Sequence, residues 1–283
     1  MSGSDLRVMA AAICGPALLA LACTPEVALA GAWTLPENTG QVLVIGTASR
    51  AGKAFDDHGT AQSTPRYSKY ELQTLMEYGV TNWLTAILAP GIQHVGVGPP
   101  TDAHRTGFGT SEFGARALLF QGDTRGGRSW VISGQATLRV PGTFDTNNPA
   151  AVGYTGFETD IRALFGVGFA LGAWPAFVDL QLAQRFRAGG PPNETRIDVT
   201  FGVSPAPQWL VLTQSFNVLS QGAGSALFPA NHYHKLQLSL VYSINTNWSV
   251  QGGVFTTYAG RNALQENGLL IGAGYRFKPE PAR

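Results

Sequence analysis

The sequence predicts an all-β fold, a transmembrane antiparallel β-barrel of about 12 strands with short periplasmic turns and longer extracellular loops. Three observations carry that reading. The amino terminus is built for export, the rest of the chain alternates apolar and polar residues in short runs, and tryptophans mark one set of turns.

At the amino terminus, Arg7 precedes an apolar, small-residue run from Val8 to Ala22, and a second small-residue stretch ends in Ala28-Leu29-Ala30. That small-x-small pattern is what a signal peptidase reads, so residues 1–30 are expected to be a cleaved signal peptide and Gly31 the first mature residue. The alternatives are an uncleaved anchor helix and lipidation at Cys23. The second fits poorly, because Ala20-Leu21-Ala22 puts leucine in the wrong place for a lipobox. Cys14 and Cys23 are the only cysteines and both fall in the expected leader, so the mature protein has no thiol and needs no disulfide. Ala163 to Val178 is the most apolar later stretch, but it is too short for a spanning helix and carries three glycines and Pro175. It reads as the end of one strand, a tight turn around Gly172 to Pro175, and the start of another.

The strands follow in order. Alternating segments fall near 40–49, 67–79, 83–94, 107–120, 129–140, 155–170, 176–187, 194–204, 209–218, 233–244, 248–258 and 267–277. In the second, Tyr70, Leu72, Met76 and Tyr78 share one face, while Lys69, Glu71, Gln73 and Glu77 share the other. In the fifth, Trp130, Ile132, Ala136, Leu138 and Val140 oppose Ser133, Gln135, Thr137 and Arg139. The eighth sets Ile197, Val199, Phe201 and Val203 against Arg196, Asp198 and Thr200. Leu236, Leu238, Leu240, Tyr242 and Ile244 oppose Lys235, Gln237, Ser239 and Ser243 in the tenth. The twelfth alternates Leu269, Ile271, Ala273, Tyr275 and Phe277, and its aromatic end resembles the C-terminal signal read by the barrel-insertion machinery. Residues 31–277 are thus the barrel, and 278–283 a short periplasmic tail.

The connections alternate in length. Short ones lie at Thr81-Asn82, 122–128, 172–175, 205–208 and 245–247, and longer ones at 50–66, 95–106, 141–154, 219–232 and 259–266, with a compact member at 188–193. Trp83, Trp130, Trp174, Trp209 and Trp248 stand at the five short turns. A sandwich core has no reason to place an indole at every turn of one rim. A membrane interface does, since the ring prefers apolar surroundings and the N–H a wet partner. These five are the candidate membrane-interface aromatics. They turn the short turns toward the periplasm and place the protein in the outer membrane of a Gram-negative cell, with outer-membrane lipid as a partner.

Two motifs carry a family resemblance. Gly31-Ala32-Trp33-Thr34-Leu35-Pro36 with Gly40-Gln41, and Glu77-Tyr78-Gly79-Val80-Thr81-Asn82-Trp83-Leu84-Thr85, resemble a group of outer-membrane proteins linked by name to the meta-pathway of phenol degradation. The resemblance implies a barrel and the passage of small, aromatic or otherwise hydrophobic solutes. It brings no catalytic residues.

The function classes follow from charge and from the polar face. A net charge of +1, with charged residues at 13%, offers no field for nucleic acid. A twelve-stranded lumen lies between barrels filled by side chains and open aqueous pores, so conduction and blockage both remain open. Glu112, Arg116, Arg139, Glu158, Asp160, Arg162, Arg185, Arg187, Arg196 and Asp198 fall on inward faces, an expected belt of alternating charge lining the lumen. A crude register sets Glu112 opposite Arg139, Arg139 opposite Glu158, Asp160 opposite Arg187 and Arg185 opposite Asp198. The plain alternative is that these charges only neutralise one another. The reading is a passive channel for a small-molecule solute, with a plugged structural or surface barrel as the competing class.

No enzyme, cofactor or metal site is expected. A lipid hydrolase on a barrel rim needs a Ser/His pair, and only His58 with Ser68 has a suitable separation. His232 and His234 share a strand face but have no third ligand nearby. Gly222-x-Gly224 has no helix after it, and Gly272-x-Gly274 lies within a strand, so neither is a phosphate loop.

Overall fold

The computed structural model describes residues 31–124, 128–143, 148, 150, 156–224 and 228–277. The expected signal peptide, 1–30, and tail, 278–283, lie outside the described residues. Within them the chain forms β segments and no helix. In order these are β1 (Gly40–Phe55), β2 (Ala61–Thr81), β3 (Leu84–Ala89), β4 (Gly91–Val97), β5 (Ala103–Phe108), β6 (Ser111–Asp123), β7 (Ser129–Val140) and β8 (Glu158–Leu171). Then come β9 (Trp174–Arg187), β10 (Glu194–Ala206), β11 (Trp209–Ser220), β12 (His232–Ser243), β13 (Trp248–Arg261), β14 (Ala263–Leu264) and β15 (Asn267–Phe277).

Three pairs of segments are single strands with a break. β3 and β4 both pair with β2 and part at Pro90, which has no N–H to give the ladder; its carbonyl still accepts the Thr74 N–H at 3.0 Å. β5 and β6 part at Gly109-Thr110, and β14 and β15 both pair with β1. Joined in this way the segments make 12 antiparallel strands. β1 pairs with β2 on one side and with β15 on the other, from Gly40 opposite Phe277 to Arg50 opposite Asn267. That seam closes the barrel, and closure satisfies every ladder donor without an edge.

The alternation of the sequence becomes inside and outside. Tyr70, Leu72, Met76, Tyr78 and Val80 of β2 are exposed on the outer wall, and so are Leu236, Leu238 and Leu240 of β12. Glu77, Thr85, Ser133, Asp160, Asp179 and Ser239 are buried on the inner one. A soluble protein would cover such an apolar exterior; a membrane barrel leaves it to lipid.

The strands run further than the alternation indicates. The loop expected at 50–66 is mostly β1 and β2, with only 56–60 left as a turn. Asp56 Oδ1 closes it by accepting the N–H groups of His58 at 2.9 Å and Thr60 at 2.8 Å, and Gly59 supplies the positive φ of +82°. The alternation fades there because small, polar and apolar residues mix on both faces and the register shifts between Ala51 and Lys53, yet the backbone keeps pairing, down to Phe55 opposite Ala61. The 95–106 loop shrinks likewise to 98–102. The turn expected at 172–175 is only Gly172-Ala173, with Gly172 at φ +64°.

Candidate functional site

Residues 31–39, given no structural role by periodicity, enter the barrel. Thr39 and Gly79 join them to the wall through the Gly79 N–H, which donates to the Thr39 carbonyl at 2.9 Å, and the Asn38 N–H, which donates to the Gly79 carbonyl at 2.8 Å. Gly79 is required here by close approach, since a Cβ would collide with the Pro36 carbonyl. Gly79→Val is therefore expected to displace the segment while leaving the barrel closed, and electrophysiology of the refolded variant should show larger or noisier conductance than the parent.

Deeper in, the segment is held by the β2–β3 turn and by several different strands. The Glu37 N–H donates to Asn82 Oδ1 at 3.0 Å, and the Leu35 N–H to Thr85 Oγ1 at 2.8 Å. Arg116 of β6 donates through Nη1 to the Trp33 carbonyl at 3.0 Å, through Nε to Gln135 at 3.1 Å, and through Nη2 to Glu77 at 2.8 Å. Gln41 Nε2 bonds the other oxygen of Glu77. Ser133 Oγ donates to the Ala32 carbonyl, and the Ala32 N–H donates to Asp179 Oδ2 at 2.6 Å. The Trp33 ring meets Phe177 edge to face at 5.8 Å and packs, with Leu118, on buried Ala32, Val131 and Leu164. Gly166 leaves room for it, because a Cβ there would lie 2.6 Å from the indole.

Trp33 also forms part of the wall of an interior cavity of about 410 Å³. Leu43, Ile45, Leu75, Phe177, Leu212, Phe216 and Leu270 give it apolar surface, and Gln73, Gln214, Gln237, Gln251 and Thr200 punctuate that surface with hydrogen-bonding groups. A cavity of that size holds a small organic molecule, mostly by apolar contact with a few polar fixing points.

Charge gathers along β6 to β10, where Glu112 also borders the cavity, and Glu71, paired with Lys69 at 3.1 Å, borders it from β2. Arg139 contacts Glu112 at 2.9 Å and Glu158 at 3.1 Å; Arg187 contacts Glu158 at 2.7 Å and Glu194 at 2.6 Å. Arg185 contacts Asp160 at 3.1 Å and Glu194 at 3.7 Å, and Arg162 contacts Asp160 at 3.3 Å and Asp198 at 2.9 Å. Glu112 lies opposite Arg139, and Arg139 opposite Glu158, in the expected register. Beyond that the register slips. Asp160 lies opposite Arg185 rather than Arg187, whose partner is Glu158, and Arg185 lies opposite Glu194 rather than Asp198. The first slip comes from the turn at Gly172-Ala173, two residues shorter than expected; in the second the 188–193 connection has its expected length, but the ladder with β10 begins only at Arg185, leaving Phe186 and Arg187 beyond its end. Arg196 sits on β10 between Ala183 and Val218, inward but outside the ion pairs described, and Arg116 leaves the belt to hold Trp33. Glu77, Asp179 and Glu194, absent from the expected set, join the interior; each shares the inward parity of its strand, which is the signal that could have found it.

Trp83, Trp174, Trp209 and Trp248 are exposed at the short-turn end, and Trp130 is half-buried there. Trp209 leans on Tyr242 at 4.6 Å and Trp248 on Tyr275 at 4.7 Å, extending the aromatic rim. His58 Nδ1 lies 2.6 Å from Asp57 in the exposed turn, while Ser68 sits within β2 opposite Arg50 and Gly96. Asp56, Asp57 and His58 could approach one ion, but Asp56 already spends Oδ1 on the turn. His234 Nδ1 bonds Asn217 Oδ1 at 2.7 Å, on the outer face.

A closed twelve-stranded barrel, apolar outside and charged inside, defines the class: this is the fold of outer-membrane barrels. Among solved structures the chain is similar to the COG4313 outer membrane channel from Pseudomonas putida F1, with a TM-score of 0.70, 15% identity, and coverage of 89% of this chain and 100% of that one. It is also similar to the NanC porin, at a TM-score of 0.50 and 12% identity, covering 83% of this chain and 98% of that one. No protein-family profile matches the sequence, and no curated protein matches it.

Proposed function

We propose that this chain is an outer-membrane channel through which small solutes with apolar surface, aromatic ones included, pass down their gradient. The interior cavity carries the reading: about 410 Å³ of space, mostly apolar, with glutamines and the carboxylates of Glu71 and Glu112 at its border, and narrowed by Gly31 and Trp33 of the amino-terminal segment. The outer wall supports a membrane location. From Val80 to Tyr70 on β2, ten residues at about 3.3 Å and a tilt of about 40° rise about 25 Å, the height of an outer-membrane apolar band. Tryptophans at the short-turn rim fit the periplasmic interface, with the longer loops outside the cell. The charge belt fits a role as an electrostatic lining that any ion sharing the lumen must pass.

The refolded protein in a planar bilayer tests this. Small conductance steps are expected from the whole mature chain, and steps several-fold larger from a mature chain lacking residues 31–38. Over the leak of protein-free liposomes, those carrying it should admit an aromatic carboxylate faster than a sugar acid of similar mass. A barrel that conducts nothing with or without residues 31–38, and admits neither solute, is instead a structural or surface barrel.

A further inference from the structure

Asp179 is a buried carboxylate whose partners are incomplete. It lies on the inner wall in β9, 1% exposed, with Oδ2 accepting from the Ala32 N–H at 2.6 Å and Oδ1 from Gln181 Nε2 at 2.6 Å. Its buried acidic neighbours each have a cation: Glu77 has Arg116, Glu158 has Arg139 and Arg187, and Asp160 has Arg185. Among the described residues none stands within ion-pair distance of Asp179. A buried charge without a partner is costly, so the site calls for one.

Gly31 lies against that carboxylate. An atom placed at its Cβ position would be 2.8 Å from Asp179 Oδ2, too near for a side chain, so the first expected mature residue stands directly against the carboxylate, one residue from the Ala32 N–H that already donates to it. The Ala28-Leu29-Ala30 motif puts the expected cleavage on the peptide bond that ends at the Gly31 nitrogen. Hydrolysis of that bond gives the hydroxyl of water to the Ala30 carbonyl carbon and its proton to the Gly31 nitrogen. The resulting amine, with an ordinary pKa of about 8, is an ammonium at neutral pH. A chain that kept its leader would have to lead it past the same carboxylate.

We propose that the α-ammonium of Gly31, released when the signal peptide is removed, ion-pairs with Asp179, so that the barrel wall holds a docking site for the chain's own processed terminus. Glycine at the first mature position is then a requirement of the site. The pair anchors the inner end of the 31–39 segment, as Arg116 anchors its middle. Only the processed protein has the interior fully assembled. This goes beyond the channel reading, since it concerns how the segment is locked and not what passes it.

The test uses the full mature protein extracted from outer membranes. Mass spectrometry should give Gly31 as the first residue. An amine-selective aldehyde that reacts only at the N-terminus should label the native barrel at least about tenfold more slowly than the heat-unfolded chain, because burial limits access to local opening. Asp179→Asn keeps an acceptor for the Ala32 N–H but loses the charge, and its terminus should label several-fold faster than that of the parent. A second variant, with Gly-Ser inserted after Ala30, moves the ammonium away while leaving every wall residue in place, and should lose protection equally. Anomalous gel migration before boiling verifies that each variant is folded. A different first residue, fast labelling of the parent barrel, or full protection in the inserted variant would each overturn the proposal. None of these readouts depends on conductance, so a silent channel leaves them interpretable.

Discussion

Replacing Arg116 with methionine is expected to destabilise the barrel by about 3–5 kcal/mol and to free the amino-terminal segment. The size follows from what the guanidinium leaves behind. Its side chain is 5% exposed and that of Glu77 is fully buried, so the substitution strands a carboxylate with only Gln41 to satisfy it. The Trp33 carbonyl and Gln135 lose their donors at the same moment. Methionine fills much of the same volume, which limits the packing loss and isolates the charge term. Unfolding midpoints in denaturant, read by the heat-modifiable gel shift, provide the measurement. The double variant Arg116→Met with Glu77→Gln should recover most of the stability, because the pair is then removed rather than broken. It should not restore the segment, whose Trp33 carbonyl still lacks its donor. A single variant as stable as the parent would mean that the interior is wet enough to solvate Glu77.

Strand positions were legible because lipid enforces the simplest of sequence patterns. Each wall residue faces hydrocarbon or lumen, so Tyr70, Leu72 and Met76 alternate with Glu71, Gln73 and Glu77, interrupted only at Thr74 and Leu75. The tryptophans were legible for a related reason, since an interface selects one residue type at one height. What alternation cannot reach is anything that does not touch lipid. The 56–60 turn is one example, because small, polar and apolar residues mix on both faces of β1 and β2 near it. The 31–39 segment is a more consequential one. It has no period, its contacts come from β2, β3, β6, β7 and β9, and its tightest points are marked only by Gly79, Gly166 and Gly31. Those glycines are readable as close approaches once the approaching chain is seen, and not before. The belt falls between the two cases. Parity placed its members on the inner wall, but ion pairing needs register, and register depends on turn lengths that alternation leaves open by two residues.

Glu158 is where that register matters most, and Glu158→Gln is expected to produce the largest change in ion preference. Its carboxylate, 3% exposed, meets Arg139 at 3.1 Å, Arg187 at 2.7 Å and Arg185 at 4.0 Å. Neutralising it leaves the five inward arginines of the belt, Arg139, Arg162, Arg185, Arg187 and Arg196, facing four carboxylates, Glu112, Asp160, Glu194 and Asp198, an excess of one positive charge on one side of the lumen. Two effects follow, and they separate experimentally. Stability should fall by about 3–5 kcal/mol, since buried guanidiniums lose their common partner. Permeation should turn toward anions: a unit charge roughly 8 Å from a passing ion, at an effective dielectric near ~40, is worth about 1 kcal/mol. That energy corresponds to about a fivefold change in relative permeability. Reversal potentials across a potassium chloride gradient read the second effect directly, and the parent protein supplies the reference. Glu158→Gln combined with Arg187→Gln returns the belt to its original net charge and should return the reversal potential with it. An unchanged reversal potential in the single variant would mean that the belt is a sealed brace and that ions take their path through the cavity beside Trp33.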